Sequence, residues 1–241
     1  MDAESQELRT IRQALHAAAK PANAPVLHKF FKTGRGEYAE GDIFIGVKVP
    51  DARRLVRNSD SLAEKDVVAL LHSPIHEERL LALLILVRRY QRRETDRKKI
   101  VATFLREIKS INNWDLVDSS APCILGPWLL DRDRSILRKL AKSKSLWERR
   151  IAILATFAFI RANDFAWTLE LAETLLRDKH DLMHKAVGWM LREVGNRDEA
   201  ALRKFLNQHT PHMPRTMLRY AIEKLPAADR AHYLAMPRAK I

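Results

Sequence analysis

The feature that most constrains this chain is a recurrence of helical segments about every 35 residues. Starts placed at His76, Asn112, Leu146 and Asp181 lie 36, 34 and 35 residues apart, the period of arrays in which each repeat is a helix pair. The four segments are HEERLLALLILVRRY, NNWDLVDSSAPCILG, LWERRIAILATFAFI and DLMHKAVGWMLREVG. One such pair cannot bury its own apolar face, so neighbours must stack into a continuous core. The expected fold class is therefore an all-α helical-repeat solenoid. With 7 Gly and 10 Pro in 241 residues, the chain has too few turn formers for an all-β alternative.

Amphipathic spacing places further helices at 4–19, 26–32 and 51–57, and the regular array begins at 61. Ser61 is a candidate cap for a helix to His72, and 95–108 pairs with 76–90. After the segment at Asn112, helices are expected at 133–141, 146–161, 165–177, 181–194, 199–207 and 214–224, with a terminal turn near Asp229. We expect one domain over 1–241, in which 1–60 holds N-terminal helices plus a loop and 61–241 holds the paired repeats. Gly34, Gly36, Gly41 and Gly46 concentrate in 33–49, an irregular loop without the GxxxxGK pattern of a phosphate loop.

Apolar runs at 80–87 and 151–160 are too short to span a bilayer. The N-terminus is charged at helical spacing, unlike a signal peptide. Cys123 is the single cysteine, which permits no internal disulfide and suits a reducing interior. These features predict a soluble, cytoplasmic protein. The nine histidines show no HExxH or comparable ligand spacing, so no metal is expected. His180 and His184, four apart around Asp181, fit a polar helix start.

Charge points to a partner. Forty-three Lys plus Arg against 30 Asp plus Glu give a formal charge of +13 and a pI near 10.1, which favours a polyanion such as nucleic acid. Two basic runs stand out: Arg88, Arg89, Arg92, Arg93, Arg97, Lys98 and Lys99, then Arg132, Arg134, Arg138, Lys139, Lys142, Lys144, Arg149 and Arg150. A solvated helix surface is the ordinary alternative for such runs.

In the repeat register above, the seventh position holds Ala82, Asp118, Ala152 and Val187. One repeat puts a carboxylate where three put a small apolar residue, and half-burying a charge has a cost that no folding requirement here demands. Trp114 lies four residues earlier, so indole and carboxylate project from one helix face. A salt bridge to a nearby Lys or Arg is the ordinary alternative for Asp118, and core packing for Trp114. Asp115 has the simpler reading of a helix-dipole carboxylate. Equivalent helices of a solenoid line one concave surface, so Trp114, Asp118, Arg150 and Trp189 could meet in one groove.

At these residues the chain resembles the HEAT-like-repeat DNA alkylation-repair glycosylases, the AlkD family, over nearly its whole length. WDLVD at 114–118 matches the family's catalytic Trp-x-x-x-Asp. WERRIAIL at 147–154 matches the segment whose arginine, here Arg150, grips DNA beside the lesion, and KAVGWMLREVG at 185–195 carries the counterpart of a second active-site tryptophan, Trp189. FFKTGRGEYAEGDIFIGVKVP resembles the loop after the family's first helix pair. Where some members have a tyrosine near the DNA, the nearest match is Phe30, which has no hydroxyl to offer.

The resemblance implies a HEAT-like superhelix with a concave basic groove. It implies Asp118, Trp114 and Trp189 as catalytic residues and Arg150, Arg149, Lys185 and Phe30 as DNA-binding residues, with no cofactor and no metal. The implied partner is duplex DNA containing alkylated bases, bound by a monomer associated with the nucleoid. The implied reaction is hydrolysis of the N-glycosidic bond of cationic purines, such as 3-methyladenine and 7-methylguanine, without drawing the base into a pocket. An aspartate with an ordinary pKa near 3.9 is ionised at neutral pH and suits an oxocarbenium-like sugar. Two alternatives remain: a non-catalytic relative that binds branched or distorted DNA, and a scaffold for protein partners.

Overall fold

A computed structural model of the protein describes residues 4–92 and 96–238. Regular secondary structure among the described residues consists of α-helices and short 3-10 helices, apart from one isolated parallel bridge between Ile43 and Ile75. Packing divides the chain into two compact units, Met1–Ser120 and Ala121–Ile241.

The first unit contains α1 (Gln6–Ala17), α2 (Ala24–Phe31), α3 (Val49–Leu55), α4 (Glu64–Leu71), α5 (His76–Gln91), α6 (Arg97–Arg106) and α7 (Trp114–Ser120). Its centre is α5, whose residues 80–87 are buried all round, as a helix apolar on every face must be. Helices α3, α4, α6 and α7 pack against it. The starts of α4 and α6 differ from expectation. Thr95 lies outside the described residues, and α6 is capped by Asp96, whose carboxylate accepts the Lys99 N–H. Ser61 does not cap α4; Ala63 occupies that position without a side-chain bond. Arg93 of the first basic run also lies outside the described residues. Of its neighbours, Arg88 and Arg92 pair with Asp60 at 3.3 and 3.0 Å, so this run follows the surface alternative in part.

The second unit contains α8 (Leu125–Trp128), α9 (Ser135–Ala141), α10 (Leu146–Ala155), α11 (Phe157–Arg161), α12 (Ala166–Thr174), α13 (Asp181–Gly195), α14 (Glu199–His209), α15 (Arg215–Ala221) and α16 (Ala227–Ala235). The expected single helix over 146–161 breaks at Thr156. Its hydroxyl donates to the Ile153 carbonyl at 2.7 Å, the kind of back-bond that bends helices. Helix α13 packs closely on α15. A Cβ on Gly188 would stand 2.5 Å from the Met217 carbonyl oxygen.

Hydrogen bonds at three helix starts establish the repeat. Ser73, Ser143 and Asp178 each accept, through a side-chain oxygen, the N–H two residues on, at 3.0, 3.0 and 2.9 Å. Each also accepts, through its carbonyl, a side-chain N–H six residues on, from Arg79, Arg149 and His184. The positions 73, 143 and 178 are multiples of 35 apart, with the unmarked repeat falling at Ile108. This register differs by one residue from the one read by apolar matching. Ala82, Val117, Ala152 and Val187 now form one column, and all four are fully buried. Asp118 instead shares a column with Leu83, Ile153 and Gly188, all buried. The contrast survives: a half-buried carboxylate stands where three repeats bury an uncharged residue.

Candidate active site

Helix α5 starts with His76, Glu77, Glu78 and Arg79, and all four are buried. Buried charges without partners cost several kcal/mol, so the surrounding chain is arranged to meet them. Glu78 receives Arg12 Nε at 3.0 Å and lies 3.3 Å from His16. Glu77 accepts the backbone N–H groups of Ile45, Gly46 and Val47 at 3.1, 2.8 and 3.2 Å. That bond set organises the glycine-rich loop. Gly46, at φ +87°, approaches the Lys20 carbonyl so closely that a Cβ would lie 2.1 Å from its oxygen.

His76, 1% exposed, sits between two carboxylates. Its Nδ1 lies 3.0 Å from Asp42 Oδ2 and its Nε2 2.8 Å from Asp115 Oδ2. A ring that donates from both nitrogens is an imidazolium. Burial opposes that charge, yet the hydrogen bonds donated to Asp115 and Asp42 and the charges of those carboxylates prevail, and the His76 pKa is raised. Asp42 also receives Arg79 at 2.6 Å and Asn113 Nδ2 at 3.2 Å. Burial pushes its carboxyl upward, but His76, Arg79 and Asn113 hold it below the ordinary value. Asp115 meets the helix-dipole expectation in part, since its Oδ1 accepts the Leu116 N–H at 2.9 Å. Its second oxygen does what the sequence reading missed, joining α7 to α5 through His76.

The network lies at the end of a column of rings. Trp114 stacks on Phe31 at 5.2 Å, Phe31 on Phe44 at 4.8 Å, and Phe44 on His76 at 4.4 Å, with interplanar angles of 12°, 22° and 24°. Phe30, 60% exposed, meets Trp114 edge-on at 5.7 Å. Trp114 and Asp118 line one cavity of about 570 Å³ together with Phe30, Phe31, His76 and Asp115. The four-residue spacing therefore does bring indole and carboxylate to one surface. Loop residues Phe44, Gly46, Val47 and Lys48 contribute a wall.

The second unit holds the remaining sequence candidates. Arg150 on α10 is 5% exposed, and its Nη1 donates to the Leu182 carbonyl at 2.5 Å. Trp189 on α13 is half-buried; its Nε1 donates to Glu193 at 2.9 Å and its ring lies 6.0 Å from Phe157. Lys185 pairs with Asp181 one turn back at 2.8 Å. Arg149 is tied to Asp178 at 2.6 Å and to the Ser143 and Lys144 carbonyls, so it contributes charge at a helix start more than open N–H donors. His180 Nδ1 accepts the Leu182 N–H and His184 donates to the Asp178 carbonyl, the polar helix start expected of that pair. No group of three His, Cys, Asp or Glu suited to a metal occurs among the described residues, and no helix there is long and apolar enough to cross a membrane.

Phe31, Phe44, His76, Asp42 and Glu77 escaped the sequence reading. One signal was available: HEER heading an otherwise apolar helix is an unusual concentration of charge at the entrance to a core.

A family model described as DNA alkylation repair enzyme matches residues 11–225. Among solved structures, the chain is similar to a protein described as a predicted DNA alkylation repair enzyme from Enterococcus faecalis, at 15% identity and a TM-score of 0.71, covering 87% of this chain and 97% of that one. That likeness shows a shared fold. A search of curated proteins found no match.

Proposed function

The chain belongs to the DNA alkylation repair enzyme family, and from that premise we propose that it is a DNA glycosylase. Its substrates are cationic N3- and N7-alkylated purines in duplex DNA, 3-methyladenine and 7-methylguanine among them, hydrolysed without base flipping. The observation that carries the reading is the pairing of Trp114 and Asp118 on one cavity, with Asp118 in a column of residues that are otherwise buried and uncharged.

The chemistry suits that pair. An N-alkylated purine is already cationic, so the C1′–N bond breaks with its electron pair going to the base, which leaves neutral without a general acid. Positive charge develops on the sugar, where the Asp118 carboxylate stabilises it electrostatically. Asp118 also orients the water whose oxygen bonds to C1′; the released proton passes to solvent and an abasic site remains. The faces of Trp114 and Trp189 favour a cationic sugar or base, each contact contributing about 0.5–2 kcal/mol. Arg150 and Lys185 engage phosphates, Arg149 adds to the positive field, and Phe30 supplies an apolar contact to the duplex. The protein acts as a monomer at the nucleoid and uses neither metal nor cofactor.

Release of 7-methylguanine from methylated duplex DNA tests the assignment. Wild type is expected to release the base and Asp118→Asn to lose nearly all activity. Equal release by both removes Asp118 from its role. Tight, salt-dependent binding without release by wild type would instead identify a non-catalytic DNA-binding protein.

A further inference from the structure

We infer that His76 is a positioning residue for the reaction: as an imidazolium it neutralises Asp115, so that Asp118 does not face a second negative charge from its own helix. The inference rests on the glycosylase reading for its kinetic consequences, but the coupling itself stands on geometry.

Asp115 and Asp118 are three residues apart on α7, and side chains at that spacing are neighbours on a helix surface. Two like charges there repel. The structure meets one of them from below, since His76 Nε2 lies 2.8 Å from Asp115 Oδ2. Every charged group around the ring has a defined partner. Asp42, from the loop, shares His76 with Arg79 of α5. Glu77, also on α5, directs its carboxylate to the loop amides, and Asn113, preceding α7, is neutral and donates to Asp42. His76 and Arg79 thus balance Asp42 and Asp115. Loss of the imidazolium leaves one surplus negative charge, on the carboxylate nearest Asp118 along the helix.

The same ring also orients the indole. His76 ends the column that runs through Phe44 and Phe31 to the face of Trp114. A change in its charge therefore reaches both members of the candidate pair, through Asp115 to Asp118 and through the stack to Trp114.

Single-turnover 7-methylguanine release by the full-length protein provides the first test. His76→Gln is expected to lower the rate roughly 10- to 100-fold, the scale of one charge-assisted support, with DNA affinity within about 2-fold of wild type. The double variant His76→Gln with Asp115→Asn restores the wild-type charge balance and should recover much of the rate. Wild-type activity in His76→Gln, or a double variant no faster than His76→Gln, overturns the inference. A purely packing role for His76 predicts no such recovery. The pH profile provides a second readout: wild-type rate should fall as pH rises through the raised His76 value, and the double variant should lack that limb.

Because a buried substitution can unfold the protein, wild type itself supplies a third measurement. With 5-fluorotryptophan incorporated, the ¹⁹F signal of Trp114, assigned through Trp114→Phe, should titrate together with the His76 ring ¹³C signal. A Trp114 signal insensitive to that titration overturns the coupling. If wild type releases no base, the glycosylase reading fails alone and this titration decides the inference.

Discussion

The two units support their candidate residues by different physics. In the first, Trp114 and Asp118 rest on buried ions and stacked rings, with four charged or polar side chains enclosed at the start of one helix. In the second, Arg150 and Trp189 stand on amphipathic helices, each held by a hydrogen bond to a neighbouring carbonyl or carboxylate. The repeat register makes the difference instructive. Position 115 corresponds to Leu80, Arg150 and Lys185 in the sister repeats, so one place in the repeat is filled by an apolar residue, an acid and two cations. A carboxylate is costly to enclose unless matched, and the first unit matches it with His76. The second unit meets its cations differently: Lys185 reaches outward to Asp181 one turn back, and the buried Arg150 donates to the Leu182 carbonyl.

The comparison breaks most sharply on activity. Asp118→Asn should lower base release by about 10²–10³-fold, the scale of losing a preorganised electrostatic group, whereas Trp189→Ala should cost on the order of 10-fold. Single-turnover assays of both variants check this, and a reversed order would move the chemical centre to the second unit.

Stability gives the next contrast. Glu77→Gln replaces a carboxylate that serves three amides, and should destabilise the first unit by about 1.5–3 kcal/mol. Hydrogen exchange at Ile45, Gly46 and Val47 should accelerate while amides of the second unit keep their protection. Gly188→Ala acts on the second unit by overpacking against Met217, with an expected cost of about 1–3 kcal/mol. Chemical denaturation followed by local probes would separate the two.

pH should divide the units further. His76 has a raised folded pKa, so its contribution is complete below its unfolded value of about 6.5 and is lost as pH rises through the folded value. Asp42 has a depressed folded pKa, so its contribution is present above about 3.8 and is lost as pH falls through its folded value. Wild type should therefore lose stability as pH rises above about 6.5 and through the raised folded value more steeply than His76→Gln, as followed by thermal melts across pH. The smallest effect concerns Lys185→Ala, which should reduce the slope of log affinity for DNA against log salt by about 1 without altering sequence preference.

Much of the repeat was legible because burial imposes a period. Apolar spacing places the starts of α5, α10 and α13 at His76, Leu146 and Asp181, where they lie, whereas matching small residues shifts the Asn112 segment by one residue. The polar markers that correct it, Ser73, Ser143 and Asp178, act through backbone hydrogen bonds that leave little trace in hydrophobicity. The break at Thr156 was hidden for a similar reason: a hydroxyl bends a helix or tolerates it according to where it donates.

For the candidate site, local spacing was enough to join Trp114 to Asp118, because four residues make one helical turn whatever surrounds them. Composition and repeat likewise determined an all-α chain with a basic excess and one anomalous carboxylate. Tertiary structure alone decided what lies beneath that pair. His76 meets Asp42 from 34 residues before it and Asp115 from 39 residues after it, and Phe31 reaches Trp114 across 83 residues of chain. Such contacts depend on how helices and loop pack, so no local pattern announces them. The charge of His76, and with it the field around α7, exists only once those distant carboxylates are brought together and water is excluded.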